Sequence, residues 1–358
     1  MPLTVLNVAY PLAAVSPDAV GGAEQVVSLV DHAIARAGHT SLVVAREDSH
    51  CSGTLIPVPV VKGTLNHHLN PEAQAACRRA IDIALARWRV DVVHLHGLDF
   101  HAYLPPPGVP TLVTLHLPLS WYAPEAFRGR PGTYLHCVSA AQRETCPPGI
   151  DLLPDIANGV PTSELAACHG KRRYVISLGR ICWEKGFHIA LDAVAKARMP
   201  MLLGGQVFPF AQHESYFREM ILPRLDGSRR FIGPVGFTRK RRLLTAARAL
   251  VVPSLVPETG SLVAMEALAC GTPVIAFRAG ALRDVVEHGR TGFLVKDADE
   301  MAEAIDAAAT LDPQACRTSA RERFDREAMT AKYLGVYQRL AGTPSEACNG
   351  AERVSHAA

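Results

Sequence analysis

Residues 253–276, PSLVPETGSLVAMEALACGTPVIA, place Glu258 and Glu266 on either side of Gly260-Ser261, and an apolar strand from Thr272 to Phe277 follows Gly271. A loop that ends at Gly260 and a helix that starts at Ser261 leave the first backbone N–H groups of that helix without internal partners. They point outward with the positive end of the helix dipole and make an anion site suited to a phosphate. Glu258 precedes the helix, where a carboxylate accepts hydrogen bonds from sugar hydroxyls. Glu266 lies just over one turn inside, on the face of Leu262, within reach of a ribose diol. A phosphate bracketed by two hydroxyl-binding carboxylates describes a sugar nucleotide.

Working outward, the 358 residues suffice for two ordinary domains, each with its own core. Hydrophobic residues at 48% and charged residues at 20% describe a globular chain and exclude a disordered one. No apolar run approaches the roughly 20 residues that span a bilayer. Leu3 to Val8 reads as a strand rather than a signal peptide, so the expected location is cytoplasmic. Nine scattered cysteines without a C-x-x-C pair suggest neither a disulfide framework nor a thiolate zinc site. The dispersed net charge of +3 gives no reason to expect nucleic acid as a partner.

Short apolar runs alternate with amphipathic stretches, which argues for parallel sheets with helices on both faces. Strands are expected at 3–8, 41–45, 91–95, 111–115 and 134–138, with helices near 23–37 and 72–88. A second set of strands is expected at 174–178, 200–204, 230–232, 249–252 and 273–277, with helices near 186–197, 212–223, 238–247, 261–269 and 298–309. The boundary falls near Gly159 to Arg172, and one helix of about 314–340 has Phe324, Ala328, Tyr333, Val336, Tyr337 and Leu340 at helical spacing.

The 253–276 block is similar to the signature of retaining glycosyltransferases of family four. Further matches come in order: Gly21-Gly22-Ala23-Glu24, Thr114-Leu115-His116, Asn158-Gly159-Val160, Ser177-Leu178-Gly179-Arg180, Glu184-Lys185-Gly186 and Gly289 to Val295. The resemblance runs from about residue 3 to residue 340. It implies an α/β GT-B fold, two doubly wound Rossmann-like domains facing a central cleft. Residues 1–165 would bind the acceptor and 166–323 the nucleotide sugar. A crossover helix at 324–341 would return to the first domain, and 342–358 would form a disordered tail. Members often carry Phe after the first glutamate; Thr259 stands there, which leaves the donor sugar open.

The candidate site follows. Arg180 and Lys185 lie after a strand end, on the edge where ligands bind in open α/β sheets, and would neutralise the diphosphate. Fixed cations stabilise a leaving diphosphate more in the transition state than in the ground state. Catalytic roles are expected for His116, Arg180, Lys185 and Glu258. Donor contacts are expected from Gly21, Gly22, Arg180, Lys185, Val235, Glu258, Thr259, Gly260, Ser261, Leu262 and Glu266, with the Gly233-Pro234-Val235 backbone reading the base. The resemblance gives His116 a contact to the donor sugar and a nearby main-chain carbonyl the task of stabilising charge at the anomeric carbon. Acceptor contacts are expected from His96, Trp121 and Tyr122, whose rings suit sugars or flat aglycones.

In Val93-His94-Leu95-His96-Gly97, strand alternation is read as sending the two imidazoles to opposite faces. His96 would then line the cleft, His94 would be structural, and they would share no metal. No D-x-D acidic pair stands near the phosphate loop, so neither metal nor other cofactor is expected. Arg239-Lys240-Arg241-Arg242 reads as a solvated helix face, and Arg78, Arg79, Arg87 and Arg89 leave room for weak peripheral contact with anionic lipid.

The implied activity is metal-independent transfer of a hexose from a nucleoside diphosphate sugar to a hydroxyl acceptor, with UDP the favoured nucleotide. The acceptor is a small molecule, a lipid-linked molecule or a glycan. GDP-mannose and dTDP-sugars stand as alternative donors. An epimerase or a non-catalytic sugar-nucleotide-binding protein of the same fold stand as alternative functions. A glycogen-synthase-like polymerase usually starts K-x-G-G-L, whereas this chain reads Val20-Gly21-Gly22-Ala23.

Overall fold

The computed structural model describes residues 2–61, 70–167 and 169–342. The tail expected at 342–358 therefore lies, beyond its first residue, outside the described residues. The first half runs β1 (Thr4–Val8), α1 (Gly22–Arg36), β2 (Thr40–Arg46), β3 (Thr54–Val58), α2 (Pro71–Arg87), β4 (Val92–Leu95), β5 (Thr111–Leu115), β6 (Thr133–Cys137) and α3 (Ala140–Arg143). Its strands form one parallel sheet of order β3-β2-β1-β4-β5-β6.

The second half opens with α4 (Thr162–Leu165), β7 (Val175–Leu178), α5 (Phe187–Lys196), β8 (Met201–Gly204), α6 (Ala211–Tyr216), β9 (Arg229–Phe231) and α7 (Phe237–Ala246). It continues through β10 (Ala249–Val252), α8 (Leu262–Ala269), β11 (Val274–Phe277), α9 (Leu282–Val285), β12 (Gly292–Val295) and α10 (Ala298–Ala307). The chain then runs through α11 (Pro313–Arg323) and α12 (Arg326–Gly342). Its sheet, also parallel, has the order β12-β11-β10-β7-β8-β9.

Both halves are thus doubly wound. Successive crossovers run one way from the central strand and then the other, and the order reverses between β1 and β4 in the first sheet and between β7 and β10 in the second. At such a switch point the loops leaving two adjacent strand ends part and open a crevice. The central strands are buried on both faces, so they read as continuous apolar runs. β3 escaped the sequence reading because it is an edge strand with alternating burial and carries Pro57, which only an edge tolerates.

The single helix expected over 314–340 is two helices, broken at Phe324-Asp325. The break has a partner. Val160 N–H donates to the Phe324 carbonyl at 2.8 Å, and Arg326 N–H donates to the Val160 carbonyl at 3.0 Å. The two segments that join the halves are therefore hydrogen-bonded side by side. A Cβ on Gly159 would stand 2.8 Å from the Arg326 Cα, so only glycine fits there. The helix expected at 212–223 is also interrupted: α6 gives way to a wider π turn over Phe217–Ile221 and a tight turn holding Pro223.

From the break, α12 returns to the first half and packs on α1 and β4. Its Tyr333, Val336, Tyr337 and Leu340 join Val5, Val26, Ile34 and Leu112 in one apolar cluster, which continues to Leu262 and Leu268 of α8. A separate cluster lies between the first sheet and α2, and another lies around α5 and α10.

Candidate functional site

The second sheet builds its switch point from the loops after β7 and β10. Gly186 adopts φ +62°, and a Cβ there would stand 2.2 Å from the Pro253 carbonyl. That close approach brings the Trp183–Lys185 turn onto the end of β10. Lys185 Nζ then meets Glu258 Oε1 at 2.6 Å, and Ser254 Oγ donates to the same oxygen. Burial pushes the Glu258 carboxyl up. The Lys185 charge and the hydrogen bonds from Lys185 and Ser254 outweigh it, so the group sits below the usual carboxylate range. Arg180, half-buried, adds its charge to Glu258 from the end of β7.

Beyond Glu258 the chain enters α8, with Ser261 as its N-cap. Ser261 is buried, yet its Oγ has no partner among the described residues and makes no cap. An eight-residue helix with an unused hydroxyl at its start presents donors to whatever occupies the crevice. Glu266, one turn further and 4% exposed, pairs with Lys240 Nζ at 2.5 Å. This corrects the expected solvated face at Arg239–Arg242, because Lys240 is itself buried. The missed signal was its spacing of four from the buried Leu244, which puts both on one helix face. Val235, in the loop before α7, is half-buried, and the Gly233 carbonyl there accepts from Gly205 N–H at 2.9 Å.

The first sheet's carboxyl edge is built differently. His94, His96, Thr114, His116 and His136 rise from β4, β5 and β6 or their ends, all buried. His94 and His96 do not diverge. Residues two apart on a strand share a face, and their rings lie 3.9 Å apart between centroids, which overturns the alternation reading. His94 Nδ1 is 2.7 Å from the Tyr337 hydroxyl and its Nε2 is 2.7 Å from Thr114 Oγ1, which also meets His136 Nε2 at 2.6 Å. His96 Nδ1 is 3.0 Å from His116 Nε2, and His96 Nε2 has no partner among the described residues. Burial, aided by neighbouring imidazoles, holds His94 and His96 well below the ordinary histidine value. Burial and His136 lower His116 to about 3, and burial lowers His136 to about 4. These imidazoles are neutral at physiological pH. Among the described residues no group of three or more His, Cys, Asp or Glu side chains could hold a metal ion.

Tyr122 also requires correction. It is 5% exposed, its ring sits between Phe100 and Phe127, and its hydroxyl accepts from Leu117 N–H at 3.3 Å. It belongs to the core and has no face to offer an acceptor. Trp121 is half-buried on the loop after β5. Gln142 holds that loop by donating to the carbonyls of Leu115 and Leu117 at 2.7 and 2.8 Å.

The two edges meet. Thr259 Oγ1 donates to the His116 carbonyl at 2.6 Å, and Asn158 Nδ2 donates to the Gly260 carbonyl at 3.5 Å. A Cβ on Gly22 would stand 3.4 Å from Leu262 Cδ1. A Cβ on Gly21 would collide with the Glu24 carboxylate, which folds back over it. Burial raises Glu24, while the charges of Arg180 and Arg46 oppose the shift. Asp18, from the first half, accepts from Phe237 N–H at 2.5 Å and so caps α7 in the second. The structure thus gathers Gly22, His116, Asn158, Thr259, Gly260 and Leu262 at one junction. Ser254, Asp18 and His136 are polar groups there or beside it that the sequence reading did not single out, and Lys240 is one it placed on the solvated face.

This fold and this paired edge define a GT-B protein. Residues 20–148 match the family described as Glycosyltransferase Family 4, and residues 172–310 match Glycosyl transferases group 1. Together the two matches span most of the sequence, and the chain belongs to this glycosyltransferase family. It is similar to glycogen synthase of Mycobacterium tuberculosis, 27% identical over 277 residues that cover 69% of this chain and 66% of that protein. The chain therefore spans a little under two-thirds of that relative. Among solved structures it resembles AviGT4, a glycosyltransferase involved in avilamycin A biosynthesis. The TM-score is 0.71 and the identity 25%, with 95% of this chain and 98% of that one covered. HepE of Anabaena, solved in complex with UDP and glucose, shares the fold with a TM-score of 0.72 at 20% identity, covering 94% of this chain and 99% of that one.

Proposed function

We propose that the chain transfers a hexosyl group from a nucleoside diphosphate sugar, UDP-linked in the first instance, to a hydroxyl acceptor with retention of anomeric configuration. The observation that carries this is the second switch point. Lys185, Arg180 and the unused start of α8 converge there around Glu258, directly against the His116 carbonyl of the first half. The diphosphate would lie on the α8 amides, with Arg180 and Lys185 countering the charge it gains as the anomeric C–O bond breaks. Lys185 would pass from Glu258 to the phosphate, freeing Glu258 for sugar hydroxyls, and Glu266 would take the ribose.

We assign no carboxylate among the described residues as a nucleophile, so the acceptor oxygen would bond on the face the leaving group departs from. Its proton would go to the departing phosphate oxygen. With two side-chain cations and a helix start on the phosphates, we assign no divalent metal. The acceptor would enter from the first half, beside His96 and Trp121. No helix among the described residues is long and apolar enough to cross a membrane, and we place the reaction in the cytoplasm. The complex of HepE with UDP and glucose supports a UDP-sugar as first choice.

The test is a melting-temperature panel with UDP, GDP, dTDP and ADP and their sugar conjugates, with and without EDTA, followed by NMR of the product's anomeric coupling. A selective shift that survives EDTA and a product of unchanged configuration are expected. No shift with any nucleotide, or an inverted product, overturns the reading.

A further inference from the structure

The buried ion pair between Lys240 and Glu266 has a consequence beyond packing. Both side chains are almost wholly buried, 10% and 5% exposed, and their atoms meet at 2.5 Å. Burying two charges carries a desolvation cost that their attraction need not recover, and an apolar pair of the same volume is often as stable or more so. Stability alone therefore explains the pair poorly. What it does is geometric. It occupies Oε1 and fixes the carboxylate's rotamer, and the Glu266 side chain takes no other hydrogen bond among the described residues. Lys240 stands in the first turn of α7, its N–H bonded to the Gly236 carbonyl at 2.8 Å, directly after the Gly233–Gly236 loop. One lysine thus ties that loop to the carboxylate on α8.

We infer that Lys240 is the positioning residue for the nucleotide's ribose. By holding Oε1 it presents Oε2 to the 2′ and 3′ hydroxyls and sets the distance between the base loop and the sugar. This rests on the nucleotide-sugar reading above and adds a residue that touches no substrate itself. A carboxylate held at one oxygen loses little freedom when the diol binds, whereas a swinging one must be ordered first.

The experiment is isothermal calorimetry of UDP and 2′-deoxy-UDP against the wild-type protein, Lys240→Met, Lys240→Arg and Glu266→Gln. The wild type is expected to prefer UDP by about tenfold or more, the scale of a lost hydrogen bond to a charged group. Lys240→Met should bring that ratio near unity by weakening UDP alone, Glu266→Gln should do the same, and Lys240→Arg should keep most of it. A Lys240→Met protein that retains the full ratio, or that weakens both ligands equally, overturns the inference and leaves the donor site standing. If Lys240→Met does not fold, Lys240→Gln takes its place under the same criteria. Equal binding of UDP and 2′-deoxy-UDP by the wild type also overturns it. A wild type that binds no nucleotide removes the donor reading itself, which is a separate result.

Discussion

The two sheets have the same winding and put opposite chemistry at the same topological place. Where the second sheet's order reverses, between β7 and β10, stand charges: Arg180, Lys185, Glu258 and the start of α8. The first sheet's edge, centred on β4 beside its own reversal, carries neutral imidazoles and hydroxyls closed on one another and roofed by α12. Winding decides where a crevice opens; side chains decide what it is for. On the proposed reading the charged edge keeps donors and an ion pair for an anion, while most of the neutral edge is already hydrogen-bonded to its own neighbours.

Lys185→Ala tests the charged edge most severely. It should lower kcat/KM by roughly two or more orders of magnitude, the scale of a lost transition-state charge contact, and lower the melting temperature because Glu258 loses its buried partner. The protein should stay folded by circular dichroism. Near-native activity with donor below saturation would mean that this edge is not the phosphate site, and the contrast between the sheets would collapse.

On the neutral edge, Tyr337→Phe removes the hydroxyl that meets His94 Nδ1 and leaves a buried nitrogen unpaired. A loss of about 1–3 kcal/mol in urea unfolding is expected, with nucleotide binding unchanged because the change lies on the other sheet. A nucleotide affinity that moved with it would show that the two edges are one coupled unit.

The pH dependence separates them further. The four imidazoles have folded values below the ordinary 6.5, so the unfolded chain binds more protons once pH drops beneath that value. Their neutral burial therefore supports stability above about pH 6.5 and is lost as pH falls, by about 1.4 kcal/mol per pH unit for each histidine that stays neutral in the fold. Melting temperatures recorded from pH 7.5 down to 5 should decline, and a flat profile would contradict the buried neutral wall. Thr259→Val is the mildest probe: losing one hydroxyl to the His116 carbonyl should cost about 1 kcal/mol, roughly fivefold in kcat/KM. No change would mean that this hydrogen bond across the junction does not shape the productive state.

The same contrast explains what could be read from residues alone. Glu258, Ser261 and Glu266 lie within nine consecutive positions on one loop and helix, so spacing carried their geometry. The neutral edge brings His94 to Tyr337 across 243 positions, and no local pattern announces that pairing. His94 and His96 were legible and were misread, because the strand period of two puts them on one face. Lys240 hid in a basic run whose Arg239 and Arg242 do face solvent, and its inward direction was visible only in its spacing from Leu244. Tyr122 looked like a sugar platform because aromatics near a strand end suit one, yet Phe100 and Phe127 cover it.

The return of α12 also orders events during synthesis. The first sheet's last strand ends at Cys137, but the helix that covers its histidines begins only at Arg326. A chain emerging from the ribosome N-terminus first must complete the whole second half before that polar wall gains its tyrosine partners. The first half therefore spends translation as an unfinished layer with Thr114 and His94 awaiting Tyr333 and Tyr337. Docking of α12, rather than closure of either sheet, is the step that supplies those partners.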